Sequence, residues 1–197
     1  IGDESLDFKE AVKVANEADV IIAVVGENSD MSGEASSRID INLPGRQEEL
    51  LKELRKLRKQ LIVVLINGRP LSIPWVAENV DAIVEAWQLG TQSGNAIADV
   101  LFGDYNPGGK LTVTFPKSIG QIELNFPFKK GSHGGQPNTG PNGAGSTRVQ
   151  GELYPFGYGL SYTTFRYSDL EVAPLKQSIK GDYTVKVNVT NTGKRAG

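Results

Sequence analysis

The chain has almost none of the residues that most often carry metal or redox chemistry. It contains no cysteine and a single histidine, His133. Without cysteine there are no disulfides and no thiolate metal sites, and one histidine excludes a histidine-based metal cluster and leaves little room for a Ser–His triad. We therefore predict neither a cofactor nor a metal site.

Two further absences narrow the class of protein. The net charge of −2 lacks the basic excess that binding to nucleic acid or to an anionic membrane requires. No apolar run approaches the roughly 18 residues of a transmembrane helix.

The chain starts at Ile1 without a signal-peptide pattern, so we expect an internal piece of a longer polypeptide. Its 197 residues suffice for one sizeable domain and part of another.

Short apolar runs alternate with amphipathic stretches over the first half of the chain. Four runs predict strands, the last of them an edge strand: 20–25, 61–66, 82–87 and 111–115. Helical spacing predicts helices over four stretches: 7–18, 46–59, 73–78 and 95–102. This alternation indicates βαβ units, so we predict an α/β fold with a mostly parallel sheet and helices on both faces.

The composition changes after Pro116. Residues 116–150 are rich in Gly, Pro, Asn and Ser and form a long loop, either a flexible surface loop or one that contacts a ligand. Beyond it, 165–172 and 183–189 alternate apolar and polar residues, which predicts half-buried antiparallel strands. Because two strands alone do not form a stable sheet, we expect the first strands of a truncated β-sandwich.

Two glutamates lie in the loop that follows the first predicted strand. Glu27 comes directly after Gly26, and Glu34 lies further along the same loop. Ligands of open α/β sheets bind beyond the carboxyl ends of the strands, so both carboxylates are candidate site residues. The alternatives are a solvated loop carboxylate for Glu34 and, for Glu27, a carboxylate that accepts backbone N–H groups.

Five segments, in this order, resemble the C-terminal half of bacterial family-three glycoside hydrolases, which are β-glucosidases and related β-glycosidases. The segments are 18–27, 33–38, 67–70, 94–107 and 154–162. The resemblance implies an α/β sandwich domain over 1–162, which includes the loop 116–150. It also implies that residues 163–197 begin a fibronectin-III-like domain.

The resemblance further implies that the two catalytic groups lie on two different domains. In this family the nucleophilic Asp lies on an N-terminal barrel, which is expected outside this chain. The acid/base lies on a loop of the α/β sandwich domain, and Glu34 matches that position best, with Glu27 as its competitor. A retaining glycosidase needs its two carboxyl groups roughly 5–5.5 Å apart, so the chain alone is expected to be inactive.

Three residues are candidates for substrate binding, each with an alternative. Glu27 contacts the sugar or supports the site. Arg38 reaches a sugar hydroxyl or pairs with Glu34 or Asp40, and an arginine beside Glu34 would work against an acid role. His133 contacts the sugar or is merely exposed on its loop.

The resemblance also supplies the expected partners and place of action. The substrate would be an oligosaccharide or a β-glucoside that loses its terminal β-D-glycosyl residue, and the partner would be the N-terminal barrel of the same protein. A periplasmic or secreted location is implied by the family only. No nucleic-acid or membrane partner is expected.

Two other functions compete with a hydrolase. One is a non-catalytic module, either carbohydrate-binding or interdomain and structural. A carbohydrate-binding module would use 116–150 as its sugar platform, although only Phe126 and Phe128 supply aromatic rings there. A nucleotide-binding domain would need a phosphate loop after the first strand, where a Glu-bearing loop stands instead. The glycines Gly90 and Gly94 lack the Lys-Ser/Thr of a P-loop, which favours a tight strand–helix turn.

Overall fold

The computed structural model describes residues 7–121, 149, 151–173, 181 and 183–197. The chain divides into two compact units, Ile1–Gly94 with Leu111–Tyr158, and Asn95–Lys110 with Gly159–Gly197. The predicted assignment of 1–162 and 163–197 to two domains stays a prediction.

The first unit contains a three-stranded parallel sheet in the order β1-β2-β3. Its elements, in chain order, are α1 (Lys9–Glu17), β1 (Val20–Gly26), α2 (Gln47–Arg55), β2 (Gln60–Ile66), α3 (Pro74–Asn79) and β3 (Ala82–Glu85). The register pairs Gly26 with Ile66 and Leu65 with Glu85. The carboxyl ends of the three strands therefore meet at one edge of the sheet, and the predicted α/β class is confirmed.

One face of the sheet and α2 form the core of the first unit. The cluster includes Leu51 and Leu54 of α2 together with Leu61, Val63 and Leu65 of β2. Alternation explains the strand residues, because every second side chain of a strand points to the same face. Helical spacing explains Leu51 and Leu54, which lie on one face of α2.

The opposite face of β1 is exposed. Val20, Ile22 and Val24 keep 40%, 45% and 60% of their surface in contact with solvent. Among the described residues only β2 pairs with β1, so β1 is an edge strand.

Three predicted elements differ from the observed ones. The helix predicted over 46–59 ends at Arg55, because Arg58 adopts a positive φ of 57°. The strand predicted over 82–87 ends at Glu85, because Trp87 has a φ of 48°. In place of a strand over 111–115, only Phe115 forms an antiparallel bridge, with Tyr154.

The second unit contains most of α4 (Ser93–Phe102) and the strands β4 (Phe165–Ala173) and β5 (Thr184–Asn191). The strands pair antiparallel, as predicted, with Tyr167 opposite Val189 and an irregularity between Ser168 and Glu171. The prediction of half-buried strands is wrong, since all residues of β5 and all residues of β4 except Ser168 are exposed.

Candidate functional site

The candidate site lies where β1 and β2 end. The last residue of β1, Gly26, is fixed by the first residue of α2: its N–H donates to Gln47 Oε1 at 2.7 Å, and Gln47 Nε2 donates to its carbonyl at 2.9 Å. A Cβ atom at Gly26, which has a φ of 134°, would overlap the backbone of Ile66. Glycine is therefore required at this close approach of two strand ends.

Glu27 is buried beneath the loop that it begins. Its side chain has no exposed surface, and Oε1 lies 2.9 Å from both Arg38 Nη1 and Arg69 Nε. The Arg38 contact is a hydrogen bond, whereas the Arg69 N–H is not aligned for one, so that contact is an ion pair. A buried carboxylate needs such partners, because an unpaired charge is costly in a medium of low dielectric constant.

The second oxygen of Glu27 binds backbone. Gly68 N–H donates to Oε2 at 3.1 Å, as expected for a carboxylate at a strand end. A side chain at Gly68 would overlap Ser32 Oγ, so the loop lies directly against this glycine. Both oxygens of Glu27 thus have protein partners, and the structure gives the residue an internal, supporting environment.

Arg38 pairs with Glu27 rather than with Glu34 or Asp40. Its Nη1 hydrogen-bonds to Glu27, and its Nη2 donates to Asn42 O at 3.2 Å. The guanidinium is thus engaged on both terminal nitrogens. The ion pair with Glu34 that would work against an acid role is absent from the described part of the chain.

Glu34 lies on a tight turn in the middle of the loop. Ser36 N–H donates to Gly33 O at 3.1 Å, and the turn contains positive φ values at Gly33 and Ala35, of 140° and 61°. Glu34 is exposed, and no residue in the described ranges forms an ion pair or side-chain hydrogen bond with its carboxylate. The carboxylate is open to a ligand.

A second polar cluster lies at the same sheet edge and was not predicted from the sequence. Glu85, at the end of β3, accepts hydrogen bonds from Trp87 N–H at 3.0 Å and from Asn67 Nδ2 at 3.4 Å. Burial raises the pKa of Glu85 to about 7, and the two hydrogen bonds oppose that rise only in part. The available signal was a single acidic residue at the end of an otherwise apolar strand.

Asn67 joins the two clusters. It is fully buried, and its Nδ2 also donates to Arg69 O at 2.8 Å. Its Oδ1 has no hydrogen-bond partner among the described residues.

Trp87, two residues after β3, packs against Phe115 with ring centroids 5.8 Å apart. Gly90–Gln92 forms a short 3₁₀ turn that leads into α4, as predicted for a tight turn. His133 lies outside the described residues.

None of the helices in the described part of the chain is long and apolar enough to cross a membrane. No group of three or more acidic or histidine side chains in the ranges given above is placed to hold a metal ion.

Residues 3–162 match the model of the glycosyl hydrolase family 3 C-terminal domain. The chain belongs to this family. The resemblance that the sequence motifs predicted is therefore confirmed, and it covers most of the chain.

Curated relatives match nearly the whole chain. A periplasmic β-glucosidase from Salmonella typhimurium is 49% identical over 95% of the chain and 25% of its own length. A β-xylosidase from Formosa agariphila is 43% identical over 96% of the chain and 26% of its own length. The chain thus spans about a quarter of these relatives.

Solved β-glucosidase structures share the fold. A β-glucosidase from Erythrobacter marinus has a TM-score of 0.84 at 39% identity, over 96% of this chain and 25% of its own. A β-glucosidase from Listeria innocua in complex with glucose has a TM-score of 0.82 at 35% identity, over 98% of this chain and 28% of its own. The chain corresponds to a similar fraction of each.

Proposed function

We propose that this chain supplies the acid/base of a retaining β-glycosidase of the β-glucosidase type, and that Glu34 is that group. The nucleophilic Asp would lie on an N-terminal barrel of the same polypeptide. The observation that carries the proposal is the contrast between the two loop glutamates. Glu34 has an exposed carboxylate on a defined turn, whereas both oxygens of Glu27 are engaged inside the protein.

The reaction assigns Glu34 two proton transfers. As a carboxylic acid it donates a proton to the glycosidic oxygen while the nucleophilic Asp attacks the anomeric carbon, which breaks the glycosidic bond. As a carboxylate it then takes a proton from the water that attacks the glycosyl–enzyme intermediate. Arg38 is not an ion-pair partner of Glu34 in the described part of the chain, because its terminal nitrogens are bound to Glu27 and Asn42.

The proposed substrate is an oligosaccharide or β-glucoside with a terminal β-D-glucosyl or similar unit. Relatives named both β-glucosidase and β-xylosidase support a terminal β-D-glycosyl residue in general. The name of the Salmonella typhimurium relative supports action in the periplasm, with secretion as the alternative. In this proposal Arg38 and Glu27 serve the sugar site from beneath the loop, and His133 remains a candidate sugar contact.

The test is a Glu34→Gln change in the full-length polypeptide, with aryl β-glucosides of different leaving groups as substrates. The variant loses the proton donor, so we expect kcat/KM to fall by roughly 10²- to 10⁴-fold for poor leaving groups and far less for activated ones. Added azide, which needs no general base, should restore turnover of an activated substrate and yield a β-glycosyl azide.

Asp30→Asn is the matched control, since Asp30 is an exposed carboxylate of the same loop. It should leave the leaving-group dependence unchanged, and the 197-residue chain alone should leave every substrate uncleaved. Unaltered leaving-group dependence in E34Q together with no azide effect would remove Glu34 from the role. Glucose binding without hydrolysis by the full-length polypeptide would favour the non-catalytic alternative.

A further inference from the structure

The loop that carries Glu34 is held by a residue that lies outside the loop. Arg69, just after β2, donates from Nη2 to two backbone carbonyls of the loop, Met31 O and Ser36 O, the latter at 2.8 Å. These carbonyls lie on either side of the turn that contains Glu34 in the chain. One guanidinium therefore ties together the two ends of the segment that bears the carboxylate.

Arg69 is itself fixed at three points. Its Nε lies 2.9 Å from Glu27 Oε1, and its carbonyl accepts a hydrogen bond from the buried Asn67 amide. The preceding residue, Gly68, donates its N–H to the other oxygen of Glu27. These contacts thus fix both the side chain and the backbone of Arg69 at the ends of β1 and β2.

The turn needs such external support. Ala35 adopts a positive φ of 61°, a conformation that costs free energy for a residue with a Cβ and persists only where the surroundings impose it. A proton donor must also be placed within a fraction of an ångström of the atom that it serves. An exposed side chain on a loop without regular structure does not meet that demand alone.

We infer that Arg69 is the positioning residue of Glu34, and that it holds the acid-bearing turn through Met31 O and Ser36 O while Glu27 anchors its guanidinium. The inference rests on the proposed function, because Arg69 can position a proton donor only if Glu34 is that donor. Glu27 and Arg38 complete the anchor, since Arg38 binds the same Glu27 oxygen and the later loop carbonyl Asn42 O.

Lysine cannot replace arginine here. The planar guanidinium presents several N–H groups in a fixed fork, so it can bind a carboxylate with Nε and carbonyls with Nη2 at the same time. A lysine ammonium keeps the charge beside Glu27 but not this geometry. Arg69→Lys therefore removes the hydrogen bonds to the loop carbonyls but leaves a cation beside the buried carboxylate of Glu27.

The experiment compares Arg69→Lys with E34Q in the full-length polypeptide. We expect kcat/KM to fall about 10- to 100-fold for aryl β-glucosides with poor leaving groups, and much less for activated ones, as a misplaced acid predicts. Active-site titration normalises every rate to the folded, competent fraction. A loss that was equal for all leaving groups would indicate a merely structural role and would overturn the inference.

Amide hydrogen exchange supplies a readout that does not depend on activity. Residues 31–36 should exchange faster in Arg69→Lys than in the wild type, and unchanged exchange there would also overturn the inference. The matched control is Arg55→Lys, because Arg55 likewise binds a carboxylate, of Asp81, and a backbone carbonyl, of Lys59. It should change neither the leaving-group dependence nor exchange in 31–36.

The two proposals fail separately. If E34Q leaves the leaving-group dependence unaltered, the proposed function fails, whatever the exchange data show. If E34Q behaves as proposed while Arg69→Lys retains the wild-type leaving-group dependence, only the positioning role of Arg69 fails.

Discussion

Glu85 is an acidic residue at the end of an otherwise apolar strand. Its surroundings offer one backbone N–H, from Trp87, and one side-chain amide, from Asn67, but no cation among its described contacts. Because burial disfavours the charged form, the pKa of Glu85 rises from its ordinary value of 4.5 to about 7. The folded protein therefore binds this proton more tightly than the unfolded chain does.

A Glu85→Gln change should alter how stability depends on pH. The raised pKa means that the contribution of Glu85 to folding is most favourable below about pH 4.5 and is lost as the pH rises towards 7 and beyond. The loss amounts to at most about 3 kcal/mol. Gln is neutral throughout and still accepts the Trp87 N–H, so urea unfolding of E85Q between pH 5 and 8 should show a flatter dependence than the wild type.

Glu10→Gln provides the comparison for that measurement, since Glu10 is exposed on α1. Its pH dependence should follow the wild type. Identical pH profiles for E85Q and the wild type would show that Glu85 is ionised in both the folded and unfolded states.

Helix α2 links the core to the candidate site. Leu51 of this helix is fully buried in the hydrophobic cluster, and Gln47 at its start holds Gly26 by two hydrogen bonds. Acidic residues lie in the first turn and basic ones in the last, which suits the helix dipole. Packing of α2 therefore also sets where β1 ends.

Leu51→Ala should destabilise the fold by about 2–5 kcal/mol, because it removes buried methyl groups and leaves a cavity. Leu50→Ala should cost clearly less, since Leu50 is only partly buried beside the same cluster. Chemical denaturation of both variants measures the difference. Equal losses would mean that the cavity at position 51 collapses or that Leu50 is as well packed.

The helices and the first two strands were predictable because their patterns are local. The apolar runs of β1 and β2 and the leucine spacing of α2 each determine one element, and each was found within a few residues of its predicted bounds. The conformation of Trp87 was not predictable in the same way, since its positive φ accompanies an N–H bond to the side chain of Glu85 and a contact with Phe115. The contact with Phe115 is tertiary, because the two residues lie far apart in the chain.

The site was predictable only in part, for the same reason. Glu27 and Glu34 were identified by their place after β1, and backbone binding by Glu27 was among the alternatives. The partner of Arg38 was sought nearby in Glu34 and Asp40, yet the structure places it against Glu27. Arg69 was not singled out, because its loop contacts depend on the parallel pairing of β1 with β2.

At the scale of the whole molecule, the exposed edge strand β1 is the main liability of this chain. No strand in the described part of the chain pairs with its outer backbone edge, which lies beside the exposed side chains of Val20, Ile22 and Val24. An apolar, unprotected edge is a template for pairing with another chain. The purified 197-residue chain should therefore self-associate.

A Val24→Lys change should reduce that self-association, because a lysine on an edge strand disfavours edge-to-edge pairing. The control is Val14→Lys, which changes a valine that is 64% exposed on α1 rather than on a strand. Static light scattering across a concentration series should show a marked fall for V24K and little change for V14K. Equal behaviour of the two would exclude the strand edge as the cause.

The two crossovers of the parallel sheet differ in length, and this has a kinetic consequence. The one from β2 to β3 contains only α3, whereas the one from β1 to β2 contains both the Glu34 loop and α2. Closing a longer loop costs more conformational entropy, and this loss precedes the free energy gained from the contacts between the strands. We therefore expect the β2–α3–β3 unit to form before β1 pairs with β2, so the segment that carries the proposed proton donor becomes ordered after that unit.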